Sequence, residues 1–302
     1  MPISLTDRVL VITGASAGIG RATALQAARS GMNLVLAARR HDKLVDLTRQ
    51  IEGLGRRALA VACDVDQESS IIQLMATALR SLGRIDIVFA NAGYGLYRAA
   101  AETTDAEMRA IFETNYFGTV RTVQAALPIL RRQTPRADTP SLHGQIIICS
   151  SAASEVGVPM YAAYAATKAA QDAYACALRA ELAEEGIAVT SVHPVPTTTE
   201  FFDVMKGRTD HPEAVQHSPT PVTQSAEHVA RCIVRAMAHP RTPEVWPHLP
   251  SRLGAGLATA FPRLPAWALR KHMRRLRRLD PHLRLPARPD PSNGGLGPET
   301  TS

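Results

Sequence analysis

Tyr164 and Lys168 stand four residues apart in Tyr164-Ala165-Ala166-Thr167-Lys168, so a helix through them sets a phenol and an ammonium on one face. Ser151 precedes Tyr164 by thirteen residues, just past an apolar run, and Asn115 closes a separate helical pattern. A second chemistry is written near the start of the chain, in Thr13-Gly14-Ala15-Ser16-Ala17-Gly18-Ile19-Gly20. Glycines at 14, 18 and 20 permit a tight turn, close approach of backbone to a pyrophosphate, and close packing of helix on strand. The helix that follows offers unpaired N–H groups and a partial positive charge to the phosphates. Glycine is common in turns, so the weight rests on the order strand, glycines, helix, which reads as a dinucleotide site.

A nicotinamide dinucleotide without a 2′-phosphate is usually met by a carboxylate about 20 residues further on, at the end of the second strand. Here that strand ends Leu36-Ala37-Ala38-Arg39-Arg40. No acid stands there to repel a phosphate, and Arg39 can pair with one through charge-assisted bonds. The pattern predicts NADP(H) over NAD(H), with NAD(H) still admissible; the bland alternative leaves Arg39 and Arg40 as solvated surface residues.

These groups need a scaffold, and the body of the chain supplies a strand–helix alternation. Short apolar runs at 9–13, 33–37, 58–62, 85–89, 145–149, 188–192 and 243–246 read as strands buried on both faces. Helical patterns at 19–29, 44–54, 71–82, 106–115, 117–131, 162–184 and 226–238 separate them. Crossover units of this kind predict an α/β fold, a doubly wound parallel sheet of about seven strands in a single domain. Residues 133–144 form a polar connection, and 194–222, with five prolines, follows a strand directly, where ligand-covering loops belong. The expected division is a catalytic domain over 1–247, with a substrate loop at 194–224, and a basic C-terminal extension over 248–302 whose end, from 281, is expected to be disordered.

Composition narrows the class. Of 302 residues 45% are apolar, which suits a globular domain. Cys63, Cys149, Cys176 and Cys232 lie far apart without metal-ligand spacing, so reduced, mostly core thiols and no metal site are expected. The first residues lack a basic start and apolar middle, so no secretory signal is read, and a cytoplasmic protein is expected. The net charge of +7 sits in residues 241–302, where Lys and Arg number 11 against 4 acids; residues 1–240 carry 23 of each sign. A neutral body argues against nucleic acid as a partner.

Seven elements in order give the chain its resemblance to a family. They are the Thr13–Gly20 turn, Cys63-Asp64-Val65, Ala90-Asn91-Ala92-Gly93, Asn115, Ser150-Ser151, the Tyr164–Lys168 run and His193-Pro194. Over about residues 7–247 the chain resembles the short-chain dehydrogenase/reductase superfamily. The resemblance implies a Rossmann fold and a hydride-transferring oxidoreductase. Tyr164 would be the general acid/base, its pKa of about 10 lowered by the positive Lys168 and oxidised nicotinamide. Lys168 would also bind the nicotinamide ribose, Ser151 would hold the substrate oxygen, and Asn115 would position a water that links Lys168 to solvent. Gly14, Ser16, Gly18, Ile19 and Gly20 would hold the phosphates. Asp64 would meet the adenine, with the Val65 backbone beside it. Asn91, Ala92 and Gly93 would lie along the cofactor, Pro194 beside the nicotinamide, and Thr199 at its carboxamide. The family assembles as dimers or tetramers through two long helices, here around 117–131 and 162–184.

Each residue alone has a plainer reading: Asn115 as a helix-terminal cap, Asp64 as a turn residue, Tyr161 as pocket lining without a lysine partner. Ser150 competes with Ser151, and the spacing to Tyr164 favours Ser151. One departure stands out: Val195 follows Pro194 where the family usually has glycine, and a β-branched residue cannot take left-handed angles cheaply, so the loop should follow another path. Tyr94, Leu96, Val156, Met160, Tyr161, Phe201, Phe202 and Met205 predict an apolar pocket for a lipophilic alcohol, ketone or aldehyde, unless they only pack the loop. In the tail, Leu269, Met273, Leu276 and Leu279 oppose six Lys or Arg across 265–279. Such a helix suits an anionic membrane surface, and equally a cap over the pocket or a subunit contact. The rival to an enzyme is a catalytically quiet dinucleotide-binding or membrane-docked interaction protein.

Overall fold

A computed structural model describes residues 2–209, 212, 215, 222–261 and 263–279, so the tail from 280, including the segment expected to be disordered, lies outside the described residues. Strands β1 (Val9–Thr13), β2 (Asn33–Ala38), β3 (Ala58–Ala62), β4 (Ile87–Ala90), β5 (Gly144–Cys149) and β6 (Ile187–Val192) alternate with helices α1 (Gly18–Arg29), α2 (His41–Glu52), α3 (Glu68–Leu82), α4 (Asp105–Phe112), α5 (Gly118–Arg132) and α6 (Ala162–Glu181). A two-residue ladder joins β7 (Thr197–Thr198) to β8 (Gln224–Ser225), with α7 (Phe201–Lys206) between them. The chain continues through α8 (Ala226–Met237), β9 (Glu244–Val245), α9 (Leu249–Ala260) and α10 (Arg263–Leu279).

Seven strands form one parallel sheet in the order β3-β2-β1-β4-β5-β6-β9. Period-two alternation feeds both faces: Leu10 and Ile12 join the cluster under α1, α2 and α8, while Val9 and Val11 join the one under α3, α5 and α6. This is the doubly wound Rossmann arrangement, and the strand order reverses between β1 and β4, where ligands of such sheets bind at the carboxyl ends.

Two departures from the expected elements bear on the site. The helices expected at 106–115 and 117–131 are one rod, because α4 runs into α5 through a wide π turn over Glu113–Phe117. Asn115 therefore caps nothing; it sits inside the rod, fully buried. Such wide turns insert a residue into a helix and re-aim the groups around it. The second departure is at Val195, which is buried and keeps an ordinary negative φ. Its carbonyl accepts from Thr197 Oγ1 at 2.8 Å and Ala152 N–H donates to the Pro194 carbonyl at 3.0 Å, so the loop leaves β6 without a left-handed residue.

Candidate active site

The glycine turn closes over β1 as its residue types require. Gly14 (φ 69°) and Gly18 (φ 54°) take left-handed angles, and a Cβ on Gly14 would stand 2.8 Å from Ala92 Cα. Gly20 lies beneath the turn rather than in the cavity, where a Cβ would meet the Gly14 carbonyl at 2.4 Å. Asn91 staples the turn from β4, donating through Nδ2 to the Thr13 and Gly14 carbonyls at 3.0 and 3.1 Å. The N-cap of α1 is Ala17, which has no side chain to cap the first turn. The N-terminal N–H groups of α1 are thus left for another acceptor, with Gly18 and Ile19 at the wall of a cavity of about 760 Å³. Backbone donors, glycine room and a helix N-terminus together fit a dinucleotide diphosphate.

The same cavity extends along the sheet edge past Asp64, Val65, Asn91, Ala92 and Gly93. Asp64 is also the turn residue of the plainer reading, since its Oδ1 accepts from Asp66 N–H at 3.2 Å. At the far end stand Ser16, Arg39 and Arg40. Arg40 donates to Ser16 Oγ at 3.1 Å and to Glu200 Oε2 at 2.8 Å, while Lys43 donates to Glu200 Oε1 at 2.7 Å. Strand-end reading alone finds no acid here; Glu200 is brought from 160 residues away by the loop after β7. The Lys43 and Arg40 bonds hold its carboxyl below the usual range. Thr199, one residue earlier, lies against the position a Cβ would take on Gly18, at 3.2 Å.

On the opposite wall α6 begins at Ala162 and carries Tyr164 and Lys168 one turn apart. Ser151 follows β5 and lines the same cavity as Tyr164, and Lys168 Nζ lies 5.6 Å from the Tyr164 ring centroid. Burial pushes the Tyr164 phenol well above its ordinary value, with the neighbouring Ser151 hydroxyl opposing the shift. Burial also lowers the Lys168 ammonium, partly offset by Cys149 and Asp172. The two candidate serines separate cleanly: Ser150 Oγ donates to Asp172 Oδ2 at 2.8 Å, away from the phenol. Tyr161 lines the cavity, and its phenol, pushed up to about 12 by burial, has Tyr97 beside it rather than a lysine.

Asn115 is a clamp. Its Nδ2 donates to the Tyr94 carbonyl at 2.9 Å and to Thr167 Oγ1 at 3.0 Å, and its Oδ1 accepts from Tyr94 N–H at 2.9 Å. It thereby ties the loop after β4 to the helix of Tyr164. Where the resemblance implies a water between Asn115 and Lys168, the side chain of Gln171 stands. Its Nε2 donates to the Asn115 carbonyl at 2.7 Å, and its Oε1 accepts from Lys168 Nζ at 2.8 Å. Lys168 gives a further bond to the Cys149 carbonyl at 2.7 Å, so two of its three donors are committed.

Gln171 was missed in the sequence, though a signal was there: an amide three residues past Lys168 on the helix face that also buries Ala163, Thr167, Ala175 and Leu178. His193, read in the sequence only as part of the resemblance, is stacked on Trp246 at 4.2 Å, bonded to Ser191 Oγ at 3.1 Å and 3.6 Å from Asp172. Glu155 joins Asp172 and His193 within 4.8 Å, but Glu155 is exposed and Asp172 already accepts from Ser150, so the group reads as a buried polar anchor between α6 and β6.

The remaining wall is apolar. Tyr94, Tyr97, Val158, Tyr161, Phe201 and Phe202 face the cavity, and Phe201 meets the Tyr164 ring edge-on at 5.4 Å. Val156, expected here, is half-buried outside it, because the turn before α6 aims Val158 and Pro159 inward instead. Met160 and Met205 lie behind the wall, in a cluster with Tyr97. Leu96 packs on Ile111 and Ala163, also behind it.

Comparison with known proteins agrees with this geometry. The family described as short chain dehydrogenase matches residues 8–208. An uncharacterised oxidoreductase of Bacillus subtilis is 31% identical over 271 residues, covering 89% of this chain and 73% of the relative. A fatty acyl-CoA reductase of Acinetobacter baylyi is 34% identical over 192 residues, 63% of this chain and 62% of that protein. Among solved structures, a short-chain dehydrogenase/reductase from Burkholderia phymatum in complex with NAD superposes with a TM-score of 0.75 at 24% identity, over 87% of this chain and 96% of the other. An alcohol dehydrogenase from Thermococcus sibiricus complexed with 5-hydroxy-NADP gives 0.66 at 26%, over 79% and 94%. A glycine turn at the sheet's switch point, a serine–tyrosine–lysine set across one cavity, and a family match over those same elements lead to one conclusion: the chain belongs to the short-chain dehydrogenase/reductase family and is an NAD(P)-dependent oxidoreductase.

Proposed function

We propose that this enzyme moves a hydride between NADP(H), in preference to NAD(H), and an apolar ketone or aldehyde and its alcohol. The observation that carries the reading is the Ser151–Tyr164–Lys168 set facing the Gly14–Gly20 turn across one cavity whose third wall is aromatic. The bound nicotinamide supplies the hydride. Ser151 and Tyr164 hold the substrate oxygen between two hydroxyls, and in reduction the Tyr164 O–H passes its proton to that oxygen as the carbonyl π pair becomes an alkoxide. Burial keeps the phenol protonated across neutral pH, which suits an acid. Lys168, fixed by Cys149 and Gln171, keeps its third N–H for the ribose. Arg39 and Arg40 are the candidate readers of the 2′-phosphate, the outer wall of the site being cationic around Ser16. The apolar wall and a relative named for fatty acyl-CoA reduction both support a lipophilic substrate.

Assembly as a homodimer or homotetramer through α5 and α6 completes the proposal. Ala166, Ala169, Ala173 and Ala177 leave the outer face of α6 smooth and exposed, and Phe117 beside it is 45% exposed. Fluorescence titration with NADPH and NADH in parallel tests the cofactor, and Tyr164→Phe tests the chemistry. Under this reading Tyr164→Phe abolishes turnover of apolar ketones and leaves dinucleotide affinity nearly unchanged. Equal turnover in the variant removes Tyr164 from the chemistry, and binding of neither dinucleotide sinks the enzyme reading and favours an interaction protein.

A further inference from the structure

The helices after β9 combine two exposures that do not belong together in water. α9 holds one charged residue, Arg252, in twelve, and turns Leu249, Leu253 and Leu257 outward at a spacing of four, 66%, 76% and 53% exposed. Phe261 continues the ridge, and Trp267 at the start of α10 is 62% exposed. α10 follows α9 after a two-residue link and carries seven Lys or Arg with no acid in its seventeen residues. Its Leu269 and Met273 are half-buried, while Arg270, Lys271, Arg274, Arg275 and Arg278 are exposed. His272 of the same helix reaches the wall of the catalytic cavity.

We propose that α9 and α10 form a docking face for an anionic membrane surface, the Leu249–Phe261 ridge entering the apolar layer and the α10 cations meeting the headgroups. Charge decides among the occupants. A second copy meeting this face about a two-fold axis would set seven cations against seven, and residues 1–240 hold no surplus of acid to receive them. Nucleic acid would satisfy the cations but leave the leucine ridge in water. An anionic bilayer offers both phases at once. No helix among the described residues is long and apolar enough to cross a membrane, so the contact is peripheral. Because α10 also borders the cavity, docking holds the pocket mouth at the lipid surface. The inference rests on these two helices and is independent of which substrate the pocket takes.

The test is co-sedimentation of the full chain with phosphatidylcholine vesicles, with and without phosphatidylglycerol. The protein is expected to sediment with the anionic vesicles, to be released by salt, and to stay in solution with phosphatidylcholine alone. Leu253→Asp with Leu257→Asp, and separately Arg274→Glu with Arg275→Glu, should each lower the bound fraction by roughly tenfold or more. An unchanged dinucleotide titration shows that both variants are folded. Wild-type protein that stays in solution with both vesicles overturns the proposal, as do variants that sediment like wild type. Loss of a dimer in Leu253→Asp with Leu257→Asp, without vesicle binding by wild type, assigns the face to self-association instead. Salt-sensitive capture by duplex DNA without vesicle binding assigns it to nucleic acid.

Discussion

Lys168 Nζ donates to Gln171 Oε1 at 2.8 Å, from the same face of the same helix and with Gln171 fully buried. Gln171 is anchored in turn by the Asn115 carbonyl at 2.7 Å and Thr119 Oγ1 at 2.6 Å. The ammonium is thus aimed by an amide that the wide turn over Glu113–Phe117 holds in place.

Gln171→Leu removes that aim at near-constant volume. A small displacement of Lys168 should lower kcat by about 10²-fold, with a smaller change in the KM for a ketone. Gln171→Glu keeps an acceptor for Lys168 and should recover part of the loss. Steady-state kinetics over a pH series checks this; a kcat within error of wild type for Gln171→Leu leaves the amide a purely structural role.

The raised Tyr164 phenol fixes the sign of the pH dependence. An acid that holds its proton through neutrality gives a reduction rate that is flat there and falls in the alkaline range, while oxidation, which needs the phenolate, rises with pH. Tyr161, at about 12 and without a lysine neighbour, should not contribute. Tyr161→Phe is therefore expected to shift KM and leave both limbs in place. A limb lost in Tyr161→Phe would transfer the role to that residue.

Under the proposed preference for NADP(H), Glu200, paired with Arg40 and Lys43, competes with the 2′-phosphate for them. The pairs are more than a third exposed, so each contributes only about 0.2–1 kcal/mol. Glu200→Gln should tighten NADPH by up to about fivefold and leave NADH unmoved. Arg39→Ala or Arg40→Ala should weaken NADPH selectively. Parallel fluorescence titrations decide, and equal effects on the two dinucleotides would remove the phosphate-reading role.

Away from the site, Asp86 is the most heavily bonded acid among the described residues. It accepts from Arg136 Nε and Nη2 at 2.9 Å each, from Arg84 Nε at 3.0 Å and from Val9 N–H at 2.8 Å. Burial alone would raise its carboxyl, but the Arg136 and Val9 bonds and the two arginine charges carry it below the ordinary value. A lowered folded pKa contributes stability that is complete above the unfolded value of about 3.9 and is lost as pH falls through the folded one. Asp86→Asn leaves three arginines facing a neutral amide and should cost about 3–5 kcal/mol. Urea unfolding at neutral and acid pH reads it: the gap between wild type and variant should narrow as pH falls, and a gap that widens would contradict the assignment.

Much of this molecule was legible without coordinates, because its chemistry is periodic and local. Apolar runs buried on both faces and helices between them specify a parallel sheet. The spacing of Gly14, Gly18 and Gly20 is set by contacts within a single turn, and Tyr164 and Lys168 share a face by helical geometry alone. Sequence also separated a neutral body from a cationic tail, since charge needs only counting. What it could not show were groups that meet across long separations. Glu200 reaches Arg40 because β7 and β8 pin the ends of a proline-rich loop. Asn115 looked like a helix end because a π turn has no signature of its own in side-chain period; it exists because Asn115 is bonded to Tyr94 and Thr167 on other elements. Gln171 became a partner of Lys168 only when that turn brought the Asn115 carbonyl within reach. The leucines of α9 carried no signal in the sequence, and the fold leaves them uncovered. Local periodicity fixes which residues share an element; which of them touch, and which stay bare, follows from how the elements pack.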